Sequence, residues 1–330
     1  MATHPIALMR RRHLLLASAA TSCLGLGGCG QRFAPLTVSA HTWIGYEPLF
    51  YARQQGWMAD ILAKLNEVPD ASSSMHALVA GLADCAALTL DEVMRVREAG
   101  VDMRVVLVFN VSNGADVVLA KPHVRQPADL IGRTIAVENG ALGALMLAEC
   151  LKALGLGPDQ VKVQTVGFDG HLEAWATPQV DALVTYQPVA ARLTQAGAQV
   201  LFDSSRIPWR IVDVLAVTES ALSQRPDDVA ALVGLYFRAY EQWRLKPQDA
   251  SNWLVRRLHM EPNDIALVMQ GLERPDLQAN RSLLDGPEPR LLPQARSLAD
   301  FMRDSGLLKR PQDVSDLFTG AALPEQGAAA

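Results

Sequence analysis

Short apolar runs alternate with amphipathic segments along most of the chain, the pattern that builds sheets covered by helices. Runs of strand length, β-branched or continuously apolar, fall at Leu36–Ala40, Val101–Val111, Asp116–Ala120, Thr134–Val137, Val161–Val166, Ala182–Thr185, Val200–Asp203 and Val212–Thr218. Between them, Ala141–Leu154 spaces Leu142, Leu145, Met146, Cys150 and Ala153 helically and ends at Gly155, with Pro158 beyond, so Cys150 is predicted to face the core. From Pro226 the character changes. Val229, Leu232, Val233, Tyr236, Tyr240 and Trp243 recur every three or four residues, with Asp227 and Asp228 complementing the dipole of a long amphipathic helix. Further helices are predicted at Gln248–Arg257, Pro262–Leu272 and Pro293–Ser305, clasping the first sheet, and Gly320–Ala330 reads as a disordered tail. The class is α/β.

Two segments echo each other. Ala83-Asp84-Cys85-Ala86-Ala87-Leu88-Thr89 and Val180-Asp181-Ala182-Leu183-Val184-Thr185-Tyr186 each read as a turn aspartate, a buried strand and a polar residue opening a helix. Ligands of open α/β sheets sit beyond the carboxyl ends of strands, against helix N-termini, so the echoes mark two walls of one cleft.

The amino terminus adds an address. Arg10, Arg11 and Arg12 precede Leu14–Gly28, a stretch too short and too rich in small residues to span a bilayer, so residues 1–28 read as a removed export signal. Cys29 follows Leu26-Gly27-Gly28, a lipobox pattern that predicts a diacylglycerol-modified first residue and a short linker, 29–35; the alternative is an ordinary secretory signal with an incidental cysteine. Arg11-Arg12-His13-Leu14-Leu15 also resembles a twin-arginine export signal.

About 300 residues remain, enough for two lobes. The apolar share of 49% supports a sizeable core. The chain carries −5, and its first 28 residues hold three arginines and no acid, leaving −8 on the remainder. With no Lys/Arg cluster beyond the signal, nucleic acid is not the partner. Cys85 and Cys150 lie in apolar contexts and read as free core thiols. No CxxC or HExxH appears, so neither a metal nor a cofactor is expected.

Candidate site residues cluster after strands. Trp43-Ile44-Gly45-Tyr46-Glu47-Pro48 puts two polar-tipped aromatics on a loop before a helix that Pro48 and Glu47 help to start. Thr89-Leu90-Asp91-Glu92 fits a capping box, which by itself explains Thr89 and Glu92; Asp91 either complements the helix dipole or meets a ligand amine. Asn139-Gly140-Ala141 opens a helix whose free amides suit a small oxyanion, Ser112-Asn113-Gly114 reads as a turn or hinge, and Tyr186-Gln187-Pro188 supplies the second lobe. No GxSxG or GxxxxGK[ST] is present, nor a GxGxxG followed by a helix in a dinucleotide unit, and His76 and His171 read as solvent-facing.

Together with Gly81-Leu82-Ala83-Asp84, Gly114-Ala115-Asp116, Asp129-Leu130-Ile131-Gly132-Arg133, Val180-Asp181-Ala182 and Phe202-Asp203-Ser204-Ser205, the Trp43–Leu49 motif makes residues 36–317 resemble the solute-binding proteins of nitrate/sulfonate/taurine-type ABC importers. That family shares its fold with pyrimidine-precursor binders of thiamine metabolism. The resemblance implies a two-lobed, type II periplasmic-binding-protein-like α/β fold: lobe 1 from 36–114 and 219–319, lobe 2 from 115–218, crossings near Asn113–Val117 and Val212–Val217. It also implies a non-enzymatic, monomeric protein with a small-molecule ligand, ABC permease and ATPase partners, and a membrane reached through a lipid anchor at the periplasm or cell surface.

The ligand-facing residues it implies are Trp43, Tyr46, Thr89, Asn113, Asn139, Leu142 and Tyr186, to which Glu47 and Asp91 are added as acidic candidates. Glu47, Asp91, Glu92 and Glu138 crowd the proposed rim, and buried carboxylates need positive or donating partners. An amine- or amidine-bearing ligand, such as a heterocycle stacked on Trp43 or Tyr186, therefore stands beside a sulfonate or nitrate. A sensory role is an alternative. A pyrimidine-synthase-like activity is disfavoured, because the cysteine-rich motif of those synthases is missing.

Overall fold

The computed structural model describes residues 34–59, 62–138 and 140–325. The export signal at 1–28, the lipidation at Cys29 and most of the 29–35 linker lie outside the described residues, as does Asn139. Among the described residues no helix is long and apolar enough to cross a membrane.

Residues from Pro35 onward form one compact unit holding two sheets. The strands are β1 (Leu36–His41), β2 (Ala63–Val68), β3 (Cys85–Thr89), β4 (Met103–Ser112), β5 (Asp116–Ala120), β6 (Thr134–Glu138), β7 (Lys162–Val166), β8 (Ala182–Tyr186), β9 (Gln199–Asp203), β10 (Val212–Thr218) and β11 (Leu272–Glu273). The first sheet runs β11-β4-β10-β3-β1-β2 and the second β7-β6-β8-β5-β9. In each, the first strand pairs in parallel with the next two (β1 with β2 and β3, β6 with β7 and β8), and the inner of these meets an antiparallel neighbour, β10 or β5.

The sequence echo is this repeated unit. Asp84 Oδ2 accepts from the Thr37 amide at 2.8 Å, fastening β3 to the start of β1, and Asp181 Oδ2 accepts from the Thr134 amide at 3.1 Å, fastening β8 to the start of β6. Both turn aspartates thus act at the strands' entry ends, away from any ligand, while Thr89 and Tyr186 close the exit ends.

Strand β10 belongs to the first sheet, between β3 and β4, so the expected lobe 2 limit of 218 is corrected: the chain returns before Val212. The crossings are residues 113–115 and 204–211, joined by a 2.7 Å Ser112 Oγ–Ser204 Oγ hydrogen bond and by the Gly114 amide donating to Ser204 Oγ. β2, absent from the sequence expectation, is an edge strand alternating buried and exposed positions in AKLNEV, too polar to read as an apolar run.

Helices cover the sheets: α1 (Glu47–Gln54), α2 (Ala71–Val79), α3 (Leu90–Glu98), α4 (Ala141–Leu154), α5 (His171–Ala176), α6 (Val189–Gln195), α7 (Glu219–Gln224), α8 (Pro226–Leu245), α9 (Pro247–Leu258), α10 (Pro262–Gln270), α11 (Leu277–Leu284) and α12 (Leu292–Asp304). α8 buries Val229, Leu232, Val233, Tyr236 and Trp243 in the cluster that also holds Leu36, Leu49 and Leu215. A second cluster runs through both lobes, from Leu88 and Val108 to Val118 and Ile135, and includes Cys150; Cys85 lies in the first. Both thiols are free and buried. The predicted disordered tail is also corrected as far as Glu325: Ala322 and Leu323 are buried, 2% and 6% exposed, and Arg281 donates to the Pro324 carbonyl.

Candidate ligand-binding cleft

The exit ends of β1, β3, β6 and β8 converge on one cleft, where open α/β sheets place their ligands. The first lobe contributes His41, Trp43, Tyr46, Ala71, Ser72, Thr89, Glu92, Ile211 and Asp213. The second contributes Asp116, Glu138, Gly140, Leu142, Gly143 and Tyr186. The space not filled by protein is about 530 Å³, its mouth included, and the contact of the Trp43 and Tyr186 rings across it narrows the cleft to a slot.

The loop after β1 is held over the slot by a polar chain. Tyr46 OH donates to Asp213 Oδ1 at 2.6 Å, Asn110 Nδ2 donates to Asp213 Oδ2 at 2.6 Å, and Trp43 Nε1 donates to Asn110 Oδ1 at 3.2 Å. β pairing sets this up, since Asp213 on β10 lies opposite both Thr89 and Asn110. Gly45 is required here: a Cβ on it would stand 1.9 Å from Asn110 Oδ1. Tyr46 also packs in a run of rings with Phe109 and Tyr236, at centroid separations of 5.0 and 5.1 Å, each contact contributing about 0.5–1.5 kcal/mol beyond burial.

In the second lobe Glu138 ends β6 and accepts a hydrogen bond from Tyr186, the last residue of β8. Asp116 opens β5 directly opposite Tyr186. Gly143 lets α4 close on this end of β6, because a Cβ there would lie 2.7 Å from the Glu138 carbonyl. Across the slot the Trp43 and Tyr186 rings meet edge to face at 5.6 Å.

The electrostatics are one-sided. Glu92, Asp116, Glu138 and Asp213 line the cleft, and among the described residues no lysine or arginine does. Burial pushes Asp213 up to about 7, opposed by the Tyr46 and Asn110 hydrogen bonds and reinforced by the charge of Asp116. Burial, then repulsion from Asp70 and Asp116, carries Glu138 to about 7; burial lifts Asp116 to about 6. Asp91 and Glu92 are both raised, by burial, and Glu92 also by the charge of Asp91. His41 offers no countercharge, because burial lowers it to about 4 and leaves it neutral.

Of the sequence-derived candidates, Trp43, Tyr46, Thr89, Leu142 and Tyr186 line the cleft. Three do not. Glu47 is fully buried on the other side of its loop, accepting from Trp253 Nε1 at 3.0 Å with Arg257 Nε 3.6 Å away. Asp91 is fully buried beneath the cleft, its oxygens without a well-formed hydrogen bond although the Thr89 hydroxyl and nearby amides favour its charge. Asn113 is exposed and donates to Glu273 Oε1 at 2.9 Å. In the expected capping box Glu92 Oε2 accepts from the Thr89 amide at 2.8 Å, and the buried Thr89 hydroxyl lies against Asp91 and Glu92 and favours the charge of both. His171, expected in solvent, is buried against Thr185 and Tyr186.

Sequence reasoning missed Asp116 and Asp213 as site residues. The signal was there for Asp213, the single charge in the apolar run Val212–Thr218. Among the described residues no group of three or more His, Cys, Asp and Glu side chains is arranged to hold a metal ion.

The family model described as NMT1/THI5 like matches residues 43–250, which include the first-lobe loop and the whole second sheet. The chain belongs to the NMT1/THI5-like family. It is 24% identical to the taurine-binding periplasmic protein of Escherichia coli K12 over 62% of this chain and 66% of that protein, so the match spans just under two thirds of the relative's length. The fold resembles the periplasmic aliphatic sulphonate binding protein SsuA of Escherichia coli, with a TM-score of 0.68, 17% identity, and coverage of 87% of this chain and 92% of that one. It also resembles the desulfurization enzyme DSZB, with a TM-score of 0.61, 18% identity, and coverage of 87% and 97%. The expected kinship with binding proteins of the nitrate/sulfonate/taurine group, and the two-lobed α/β fold, are met by these findings.

Proposed function

We propose that this family member is the extracytoplasmic solute-binding lipoprotein of an ABC importer, tethered at Cys29, which closes on a small organic solute between its lobes and presents it to a permease and ATPase. The single observation that carries the ligand class is the slot's charge: four carboxylates, two tyrosines and a tryptophan line it, with no lysine or arginine among the described residues. A sulfonate or nitrate entering there would meet repulsion and no guanidinium or ammonium, whereas a protonated nitrogen supplies the missing countercharge. The solute is therefore an amine- or amidine-bearing compound, in contrast to what the names of the taurine- and sulphonate-binding relatives say of those proteins.

A binding role is favoured over catalysis by the absence of a thiol from the cleft lining and by the burial of Cys85 and Cys150, which raises both thiols far from the reactive thiolate range. Lobe closure follows from a ligand that touches both sheets and so binds the closed state better than the open one.

Calorimetric titration with taurine, alkanesulfonates, nitrate, aminopyrimidines and amidines tests the ligand class. Binding of a nitrogen cation without oxyanion binding is expected; tight oxyanion binding that survives Asp213→Asn would overturn it. Small-angle scattering should show compaction on ligand addition. Cys29→Ser should release the protein from the membrane fraction.

A further inference from the structure

Each lobe brings the same pair of groups to the slot. In the first, Tyr46 donates to Asp213; in the second, Tyr186 donates to Glu138. One pair comes from each lobe, though not from equivalent positions: Tyr46 follows β1 and Asp213 lies on β10, whereas Tyr186 ends β8 and Glu138 ends β6. Asp116, at the crossing between lobes, repels both Asp213 and Glu138, so it lies within electrostatic reach of each end. The aromatic pair Trp43 and Tyr186 narrows the space between.

Resting on the amine reading above, we propose that the ligand is a slender cation carrying nitrogen donors at both ends, one end held by Asp213 and the other by Glu138. In each pair the phenol satisfies one carboxylate oxygen and orients the group, and acceptor capacity remains for a ligand N–H. A single ammonium would engage one lobe and leave the other pair and Asp116 without countercharge. Two nitrogen ends engage both lobes at once, so the spacing between them sets how far the lobes close.

Titration of the full chain with α,ω-diamines of increasing length, and with the monoamine of each length, tests this. The expected result is a diamine advantage of about tenfold or more at one preferred length, the size of one charge-assisted hydrogen bond. Asp213→Asn and Glu138→Gln should each remove that advantage. Equal affinity of diamines and monoamines at every length overturns two-ended recognition and leaves the amine reading standing. Binding of taurine but of no amine overturns the amine reading itself. The length series on the unmodified protein decides the matter even if a variant fails to fold.

Discussion

The Tyr46 hydroxyl and Asp213 Oδ1 are 2.6 Å apart and 167 residues apart in sequence, and this bond ties the loop after β1 to the strand that returns from the second lobe. Tyr46→Phe should cost about 1–2 kcal/mol in urea denaturation, since a buried carboxylate loses one of its two donors. The same change should raise the Asp213 pKa, because the hydrogen bond holds it down against burial. A Tyr46→Phe protein as stable as its parent would show that the bond contributes nothing net.

Stability should fall as pH rises from 6.5 to 8 without ligand. Glu47, Glu138 and Asp213 have folded pKa values raised to about 7, so the folded state holds more protons than the unfolded chain until pH passes that value. The stabilisation is complete below the unfolded carboxylate pKa and is lost as pH climbs through 7. His41 and His171, lowered to about 4, act in the opposite sense but only below 6.5. Thermal melts across this range should show a declining midpoint, and an amine ligand should restore more stability at pH 8 than at pH 6.

Glu47→Ala should destabilise by about 1–3 kcal/mol, leaving Trp253 Nε1 buried and unpaired. Ligand affinity should stay unchanged, since Glu47 lies outside the cleft lining. A parallel loss of affinity would place Glu47 back among the binding groups.

Gly45→Ala should cost about 1–3 kcal/mol through overpacking against Asn110 and displace Trp43, weakening binding as well. Equilibrium unfolding together with ligand titration reads both effects.

Cys85 and Cys150 should be silent to thiol reagents in the folded protein and react only on unfolding, because both sulfurs are buried and free. Rapid native labelling of either would contradict the packing.

The sequence by itself determined the class and most of the buried strands, though not the polar edge strand β2. Asp116–Ala120, Val212–Thr218 and Ala141–Leu154 were readable residue for residue, because buried strands are continuous apolar runs and the helix carries its own stop at Gly155. The echo of Asp84 and Asp181 was equally visible, since a local turn device repeats wherever the unit repeats. Trp43, Tyr46, Thr89, Leu142 and Tyr186 were legible because strand exits announce themselves locally. Only the tertiary structure decided which acids share the slot. Glu47 and Asp91 looked more suitable than Asp213 and Asp116, because nothing local shows which way a carboxylate at a helix start turns. Strand register made the choice: β10 sets Asp213 opposite Thr89 and Asn110, β5 sets Asp116 opposite Tyr186, and α9 takes Glu47 away to Trp253. Those pairings join residues 70 or more positions apart in the chain, and their energy exists only once the chain has folded.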